Sequence, residues 1–279
     1  MGGVRRKRCN ESNGTPAQAA IWGPMGQLDD KVVLLSGGAS GIGRATALLV
    51  AQKGASVAIG DVALDAAQAI AQEITTAGGR ALAAHCDVRD EDSVAAFIDL
   101  AATTFGGVDC LDHNAAWSHP RLDTDAGDID LGIWSRVIET NTRGALLLAR
   151  HAIPHMIERG GGSIVNISSG TSTIGESTRV AYGVSKAAIN QLTRHLATRY
   201  GRDSIRANAI APGFILTETA ETQVPEDIKS RLAASNPTRR LGRPADIARV
   251  VVFLFSDAAS YINGQLLHVD GGHQIAGIM

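Results

Sequence analysis

The run Tyr182-Gly183-Val184-Ser185-Lys186 sets a phenol and an ammonium four residues apart in a helical stretch from about Val180 to Tyr200. Side chains at i and i+4 share a helix face, so both point the same way. A tyrosine ordinarily titrates near 10 and is a poor base at neutral pH. An adjacent ammonium favours the phenolate, and lowering the pKa by ~3 units corresponds to about 4 kcal/mol of differential stabilisation. The pair could then act as a general acid/base near neutrality. An incidental pair on a solvated helix face is the competing reading, because this spacing alone is common. Just upstream, the β-rich run Gly162–Ser169 ends in two hydroxyls, Ser168 and Ser169.

A second cluster suits phosphate. Ser36-Gly37-Gly38-Ala39-Ser40-Gly41-Ile42-Gly43 follows the apolar run Val32–Ser36 and opens a helical run. Glycines permit a tight turn and close approach of backbone to a pyrophosphate. The helix N-terminus adds free N–H groups and a positive dipole end. A glycine-rich turn without a ligand is the bland alternative, but strand, turn and helix fall in the order that dinucleotide binding needs. Asp61 ends the next strand, eighteen residues after Gly43. A carboxylate there accepts hydrogen bonds from the adenosine ribose hydroxyls. It also repels a 2′-phosphate, by up to about 4 kcal/mol at ~4 Å and an effective dielectric of about 20. NAD is therefore expected rather than NADP, with capping of the following helix as the competing role for Asp61.

Positioning these groups requires an alternation of strands and helices. Strands are predicted at Val32–Ser36, Ser56–Gly60, Ala81–Cys86, Val108–Asn114, Ser163–Ser168, Arg206–Ile210 and Leu266–Val269. Each of the first six precedes a helical pattern, and the runs are apolar throughout, as in strands buried on both faces. The expected fold class is α/β, a doubly wound seven-stranded parallel sheet with helices on both faces. Right-handed crossovers put all strand C-termini on one edge, where ligands bind. Residues 1–27 are rich in Gly, Asn, Ser and Arg without periodicity and are expected to be a flexible extension, with 28–279 as one domain.

Composition narrows the function. Of 279 residues, 44% are apolar and 19% charged, with a formal net charge of −2. That balance argues against a nucleic-acid binder, and the basic run Arg5–Arg8 reads more simply as a solvated tail. Three cysteines, Cys9, Cys86 and Cys110, have the spacing of neither a zinc site nor a disulfide framework. No metal is expected, and a reducing cytoplasm fits best. The apolar runs are too short for a membrane span.

These motifs together resemble the short-chain dehydrogenase/reductase family. The loop Gly37-x-x-x-Gly41-x-Gly43 is similar to its TGxxxGxG loop, with Ser36 in place of Thr. The resemblance runs from about Leu28 to Gly272 and implies the family's Rossmann fold. It also implies a catalytic tetrad of Asn141, Ser169, Tyr182 and Lys186, with Ser169 thirteen positions before Tyr182 and preferred over Ser168. By the same resemblance Ser36, Gly37, Ser40, Gly41, Ile42, Gly43 and Asp61 hold the cofactor's adenosine and pyrophosphate. Asp87-Val88 flank the adenine, with a helix N-cap as the other role for Asp87. Asn114 and Ala115 approach the ribose, and Tyr182 and Lys186 also touch cofactor. Pro212, Gly213, Ile215 and Thr217 hold the nicotinamide carboxamide. His113-Asn114-Ala115-Ala116 departs from the family's Asn-Asn-Ala-Gly, and His113 reads as a structural substitute. The segment Thr217–Arg240 is expected to fold over the substrate as a lid. Trp117, His119, Thr171 and Glu176 follow strand ends and are candidates for the cleft wall, with ordinary surface loop as the alternative.

The implied activity is NAD-dependent interconversion of a secondary alcohol and a ketone. Lys186 would lower the Tyr182 pKa, and Asn141 would hold a water. Competing readings are an NADP-dependent 3-oxoacyl-carrier-protein reductase and a non-catalytic dinucleotide-binding regulator. Family members usually form homotetramers through the helices that carry Asn141 and Tyr182. Ala187, Ala188, Leu192 and Leu196 are expected to supply an apolar face for that contact.

Overall fold

The computed structural model describes residues 28–275, so the expected N-terminal extension and Cys9 lie outside the described residues. Seven parallel strands form one sheet in the order β3-β2-β1-β4-β5-β6-β7. They are β1 (Val32–Ser36), β2 (Ser56–Asp61), β3 (Arg80–His85), β4 (Cys110–His113), β5 (Gly162–Ile167), β6 (Ile205–Pro212) and β7 (Leu266–Val269). Observed bounds differ from the sequence reading by at most two residues at most ends. The strand order reverses between β1 and β4, which opens a crevice at their C-terminal ends.

The helices are α1 (Gly41–Gln52), α2 (Leu64–Thr76), α3 (Glu91–Phe105), α4 (Leu131–Ile138), α5 (Gly144–Glu158), α6 (Val180–Tyr200), α7 (Glu218–Gln223), α8 (Glu226–Ser235) and α9 (Pro244–Phe255). One face of the sheet packs on α1, α2 and α9 through Ala47, Val50, Ile70, Ile74, Val251 and Phe255. The other packs on α3, α5 and α6 through Phe97, Ile98, Leu148, Met156 and Leu196. Alternate residues of β1, β4 and β5 feed the two cores, which is why these strands read as unbroken apolar runs.

Two corrections follow from this packing. Leu196 is buried in the core of its own chain and Leu192 packs against it, so neither belongs to an outward apolar face of α6. Ala187 is exposed as expected, and Val184 is the large apolar side chain exposed on α6, with Leu131 on α4 and Leu146 and Ile157 on α5. Among the described residues no helix is long and apolar enough to cross a membrane.

Candidate active site

The glycine loop turns between β1 and α1 in a conformation that its sequence permits. Gly37 has φ +69°, and a Cβ there would lie 2.6 Å from Ala115 Cα. The loop is tied down by Gly37 N donating to Gly60 O (2.8 Å) and Asn114 Nδ2 donating to Gly37 O (2.7 Å). Ser36 is buried, and its Oγ accepts from Ala115 N at 3.4 Å. Ser40 is the N-cap of α1 with its hydroxyl unused by the helix, so the first amides of Gly41, Ile42 and Gly43 stay free for an anion. Asp61 accepts from Ala39 N (3.0 Å) and Ala63 N (2.9 Å), one bond to each carboxylate oxygen. It thus braces both the glycine loop and the start of α2, and each oxygen keeps a lone pair for a further donor.

Gly37, Ser40 and Asp61 line a cavity of about 300 Å³ with Val62, Asp87, Val88, Asn114, Ala115 and Trp117. Asp87 does not cap α3, because Asp90 does so by accepting from Asp92 N. Its carboxylate is instead held by the guanidinium of Arg89, at 3.0 and 2.6 Å. That pairing draws the Asp87 pKa down. Arg89 lines the cavity too and escaped the sequence reading, as did Arg136, whose guanidinium stacks on Trp117 at 4.5 Å. Val88 is buried against Gly144, where a Cβ would strike its side chain. The donor set suits a dinucleotide: free helix amides, a glycine turn shaped for close approach, and a carboxylate at the far end.

The second half of the site sits over the ends of β5 and β6. Ser169 Oγ accepts from Thr171 N (3.3 Å) and Thr171 Oγ1 (3.1 Å) and lines the same cavity as Tyr182. Ser168 points the other way. It is buried, and its hydroxyl donates to Lys186 O and Asn190 Oδ1. The geometry therefore brings Ser169, not Ser168, to Tyr182. Lys186 is buried, and its Nζ donates to Ile167 O at 2.8 Å and stands 5.6 Å from the Tyr182 ring centroid.

The electrostatics differ from the simple Tyr–Lys expectation. Burial pushes the Tyr182 pKa above its ordinary value of 10, against pulls in the opposite direction from Ser169 and Arg179. Burial also brings Lys186 down to about 8. Lys186 at about 8 loses its proton before Tyr182, which titrates above 10, so little of its charge remains when the phenol ionises.

Asn141 lies in a π-helical turn, Glu139–Arg143, between α4 and α5. Its side chain accepts from Trp117 N (2.7 Å) and donates both amide hydrogens, to Trp117 O (3.1 Å) and Ser185 Oγ (3.0 Å). Ser185 in turn donates to Tyr182 O. Asn141 thus joins the loop after β4 to the Tyr182 helix. Widened turns of this kind recur at functional sites, where the backbone is freed from regular pairing.

Above Tyr182 is a cavity of about 360 Å³, lined by Ser169, Thr171, Ile174, Glu176, Arg179, Phe214, Ile215, Leu232 and His273 among others. The Pro212-Gly213 turn forms one wall, with Gly213 seated against Asp270. Thr217 lies beside Gly41, and its Oγ1 accepts from Ala220 N as the cap of α7. The segment Thr217–Arg240 forms α7 and α8, and Leu232 of α8 reaches the cavity.

Comparison with known proteins decides the family. The model described as "Enoyl-(Acyl carrier protein) reductase" matches residues 37–274. Cis-4-hydroxycyclohexanecarboxylate dehydrogenase of Sinomonas cyclohexanicum is 43% identical over 88% of this chain and 96% of its own. The 7alpha-hydroxysteroid dehydrogenase of Escherichia coli K12 is 37% identical over 88% of this chain and 95% of its own. The chain belongs to the short-chain dehydrogenase/reductase family. A solved 7alpha-hydroxysteroid dehydrogenase, in complex with NADH and 7-oxo glycochenodeoxycholic acid, superposes with a TM-score of 0.84. It is 36% identical and covers 88% of this chain and 95% of that one.

Within this oxidoreductase fold the remaining candidates separate. Trp117 lines the first cavity, and Thr171 and Glu176 line the second. His119 is exposed and lines neither. His113 is buried below the cleft with neither ring nitrogen bonded among the described residues, and burial holds its pKa at about 3. It is neutral and does not reproduce the hydrogen bonding of the amide that the family usually has there. Cys86 and Cys110 are buried thiols pushed up to about 12, far from reactivity.

One structural residue was missed. Asp123, fully buried in the loop after β4, accepts from Ala181 N (3.0 Å) and Tyr182 N (2.9 Å). It caps the helix that carries Tyr182, a task that the N-cap residue Arg179 leaves undone. An acidic residue ahead of an irregular loop was the only trace of it in the sequence.

Proposed function

We propose that this short-chain dehydrogenase/reductase interconverts a secondary alcohol and a ketone with NAD. The observation that carries the reading is the placement of Ser169 and Tyr182 in the wall of one cavity. That cavity opens on the same sheet edge as the glycine loop. Two relatives act, by name, on an alicyclic alcohol, which supports an alicyclic substrate for the walls formed by Ile174, Phe214, Ile215 and Leu232.

When bound, the dinucleotide supplies the hydride acceptor or donor. Gly37, Ser40, Gly41, Ile42 and Gly43 would hold its pyrophosphate, and Asp61 its adenosine ribose. Asn114 and Ala115, with Tyr182 and Lys186, would meet the nicotinamide ribose, and Pro212, Gly213, Ile215 and Thr217 the carboxamide. Ser36 fixes the loop from below. Asp87, already neutralised by Arg89, frames the adenine end with Val88.

The chain's own groups manage the proton. Ser169 and Tyr182 donate hydrogen bonds to the substrate oxygen as negative charge develops there. Tyr182 takes the hydroxyl proton in oxidation and returns it in reduction. Lys186 takes part through the cofactor ribose, and Asn141 holds the loop and helix in register. The test is NADH formation from a panel of alicyclic and open-chain secondary alcohols, repeated with Tyr182→Phe. Turnover in the variant should fall at least about a hundredfold. An unreduced rate of single-turnover hydride transfer would overturn the assignment.

A further inference from the structure

We propose that Arg179 is a positioning residue that holds a fixed positive charge against the Tyr182 ring and eases loss of its phenolic proton, with Glu176 as the opposing charge. The proposal rests on the reading of Tyr182 as the acid/base.

The local backbone serves this placement. Arg179 precedes α6 in the left-handed region, at φ 61° and ψ 42°. A long side chain is uncommon there, and such conformations persist when the surroundings fix them. Here Arg179 N donates to Asp123 O (2.9 Å), and Arg179 O accepts from Gly183 N (3.0 Å). Its guanidinium carbon lies 5.5 Å from the Tyr182 ring centroid. Its Nη2 donates to Glu176 Oε1 at 2.5 Å, with the two side chains 30% and 26% exposed. At that exposure neither charge is fully screened by water.

Arg179 is the more secure of the two cations near the ring. Lys186 is as close, but its Nζ is bonded to the β5 carbonyl and burial brings it toward its neutral form. A guanidinium stays charged over the whole working range. The pulls on Tyr182 match this geometry, since Arg179 lowers its pKa and Glu176 raises it. The other charged groups around the ring have settled partners or positions. Asp123 binds the Tyr182 backbone N–H, Asp270 across the cavity accepts from Gly272 N and Gln274 N, His273 lines the same cavity, and neutral His113 lies below Lys186.

With the 5.5 Å to the ring centre as the scale, a unit charge at an effective dielectric of about 20 moves a titration by at most about two pH units. The opposing charge and partial exposure reduce that to about one. The test is direct titration of Tyr182 in the full-length protein labelled with [13Cζ]tyrosine. There are only three tyrosines, and Tyr182→Phe assigns the signal. Arg179→Gln should raise the Tyr182 pKa by about one unit, and Glu176→Gln should lower it similarly. Arg179→Lys and the double Arg179→Gln/Glu176→Gln variant should stay near the unmodified value. The rising limb of kcat/KM for NAD-dependent oxidation of cyclohexanol should move with each variant. A Tyr182 titration unmoved by Arg179→Gln overturns the proposal. So does an unmoved limb with a raised KM only for alcohols bearing a carboxylate, which would make Arg179 an anion subsite. An unreduced rate for Tyr182→Phe would sink the acid/base reading instead, while the Tyr182 titration still decides whether Arg179 acts on it.

Discussion

Asp112 offers a stability test that the functional reading does not touch. It lies mid-sheet on β4, paired in register with Leu35 of β1 and Val165 of β5, which belong to the core under α1 and α9. It is fully buried, and among the described residues neither carboxyl oxygen has a hydrogen-bond partner. Burial raises its pKa from 3.8 to about 8, so the folded protein holds it neutral at pH 7. The unfolded chain ionises near 3.8. At 1.36 kcal/mol per unit, keeping the proton at pH 7 costs the folded state about 4 kcal/mol. The sign follows from the raised folded value: the cost is absent below pH 4, grows as pH rises, and levels off above about 8. Asp112→Val removes the carboxyl and suits a strand interior. For a chain of this size each kcal/mol corresponds to about 2–4 °C in Tm. The variant should therefore melt about 10 °C above the unmodified protein at pH 7.5, and only about 3 °C above it at pH 5. Asp112→Asn should lose the pH dependence without gaining the full stabilisation, because its amide remains unsatisfied. Scanning calorimetry at both pH values decides the matter. A gap that does not change with pH, or a lower Tm for Asp112→Val, would refute the reasoning.

Three further outcomes are expected. Asp61→Ala should narrow the preference for NAD over NADP, read from the ratio of kcat/KM for the two cofactors; an unmodified protein that uses both equally would remove the basis for it. Asp123→Ala takes the carboxylate from two amides of α6 and should cost about 2 kcal/mol of stability, with kcat falling more than KM as Tyr182 loses its anchor. In solution the chain should form a homotetramer through α4–α5 and α6, with Leu131, Leu146 and Val184 covered; a monomeric mass at micromolar concentration would count against this.

The parts of the site that were legible in the sequence are those written by local rules. The glycine loop is a strand, a turn and a helix start in consecutive residues, so its order alone announces it. Tyr182 and Lys186 share a helix face by periodicity. The strands β1, β2, β4, β5 and β6 stand out because they are buried on both sides, and the half-buried edge strands β3 and β7 by their place in the alternation with helices. Asp61 was legible for the same reason, as the polar stop at the end of such a run. What escaped depends on how distant segments meet. Asp123 caps a helix that starts more than fifty residues later, and no pattern near either residue signals it. Arg89 is a local case instead: it folds back on Asp87 two residues away, and a charged pair at that spacing has no periodicity that marks it as part of a site.

The Tyr182 environment marks the sharper limit of sequence reading. Helical spacing correctly put Lys186 on the Tyr182 side of α6, but direction on a helix does not fix where an ammonium comes to rest. The β5 carbonyl of Ile167 competes for it, and burial among strand ends makes that carbonyl a strong acceptor. Arg179 lies outside the helical period altogether. Its approach to the ring comes from a single left-handed residue, a conformation that composition does not encode for arginine. The charge that the sequence assigned to one residue of the helix is thus shared, in three dimensions, with a residue of the turn before it. Removing the charge of Arg179 or of Glu176 alone should for that reason alter the pH at which this site works more than the substrate it accepts.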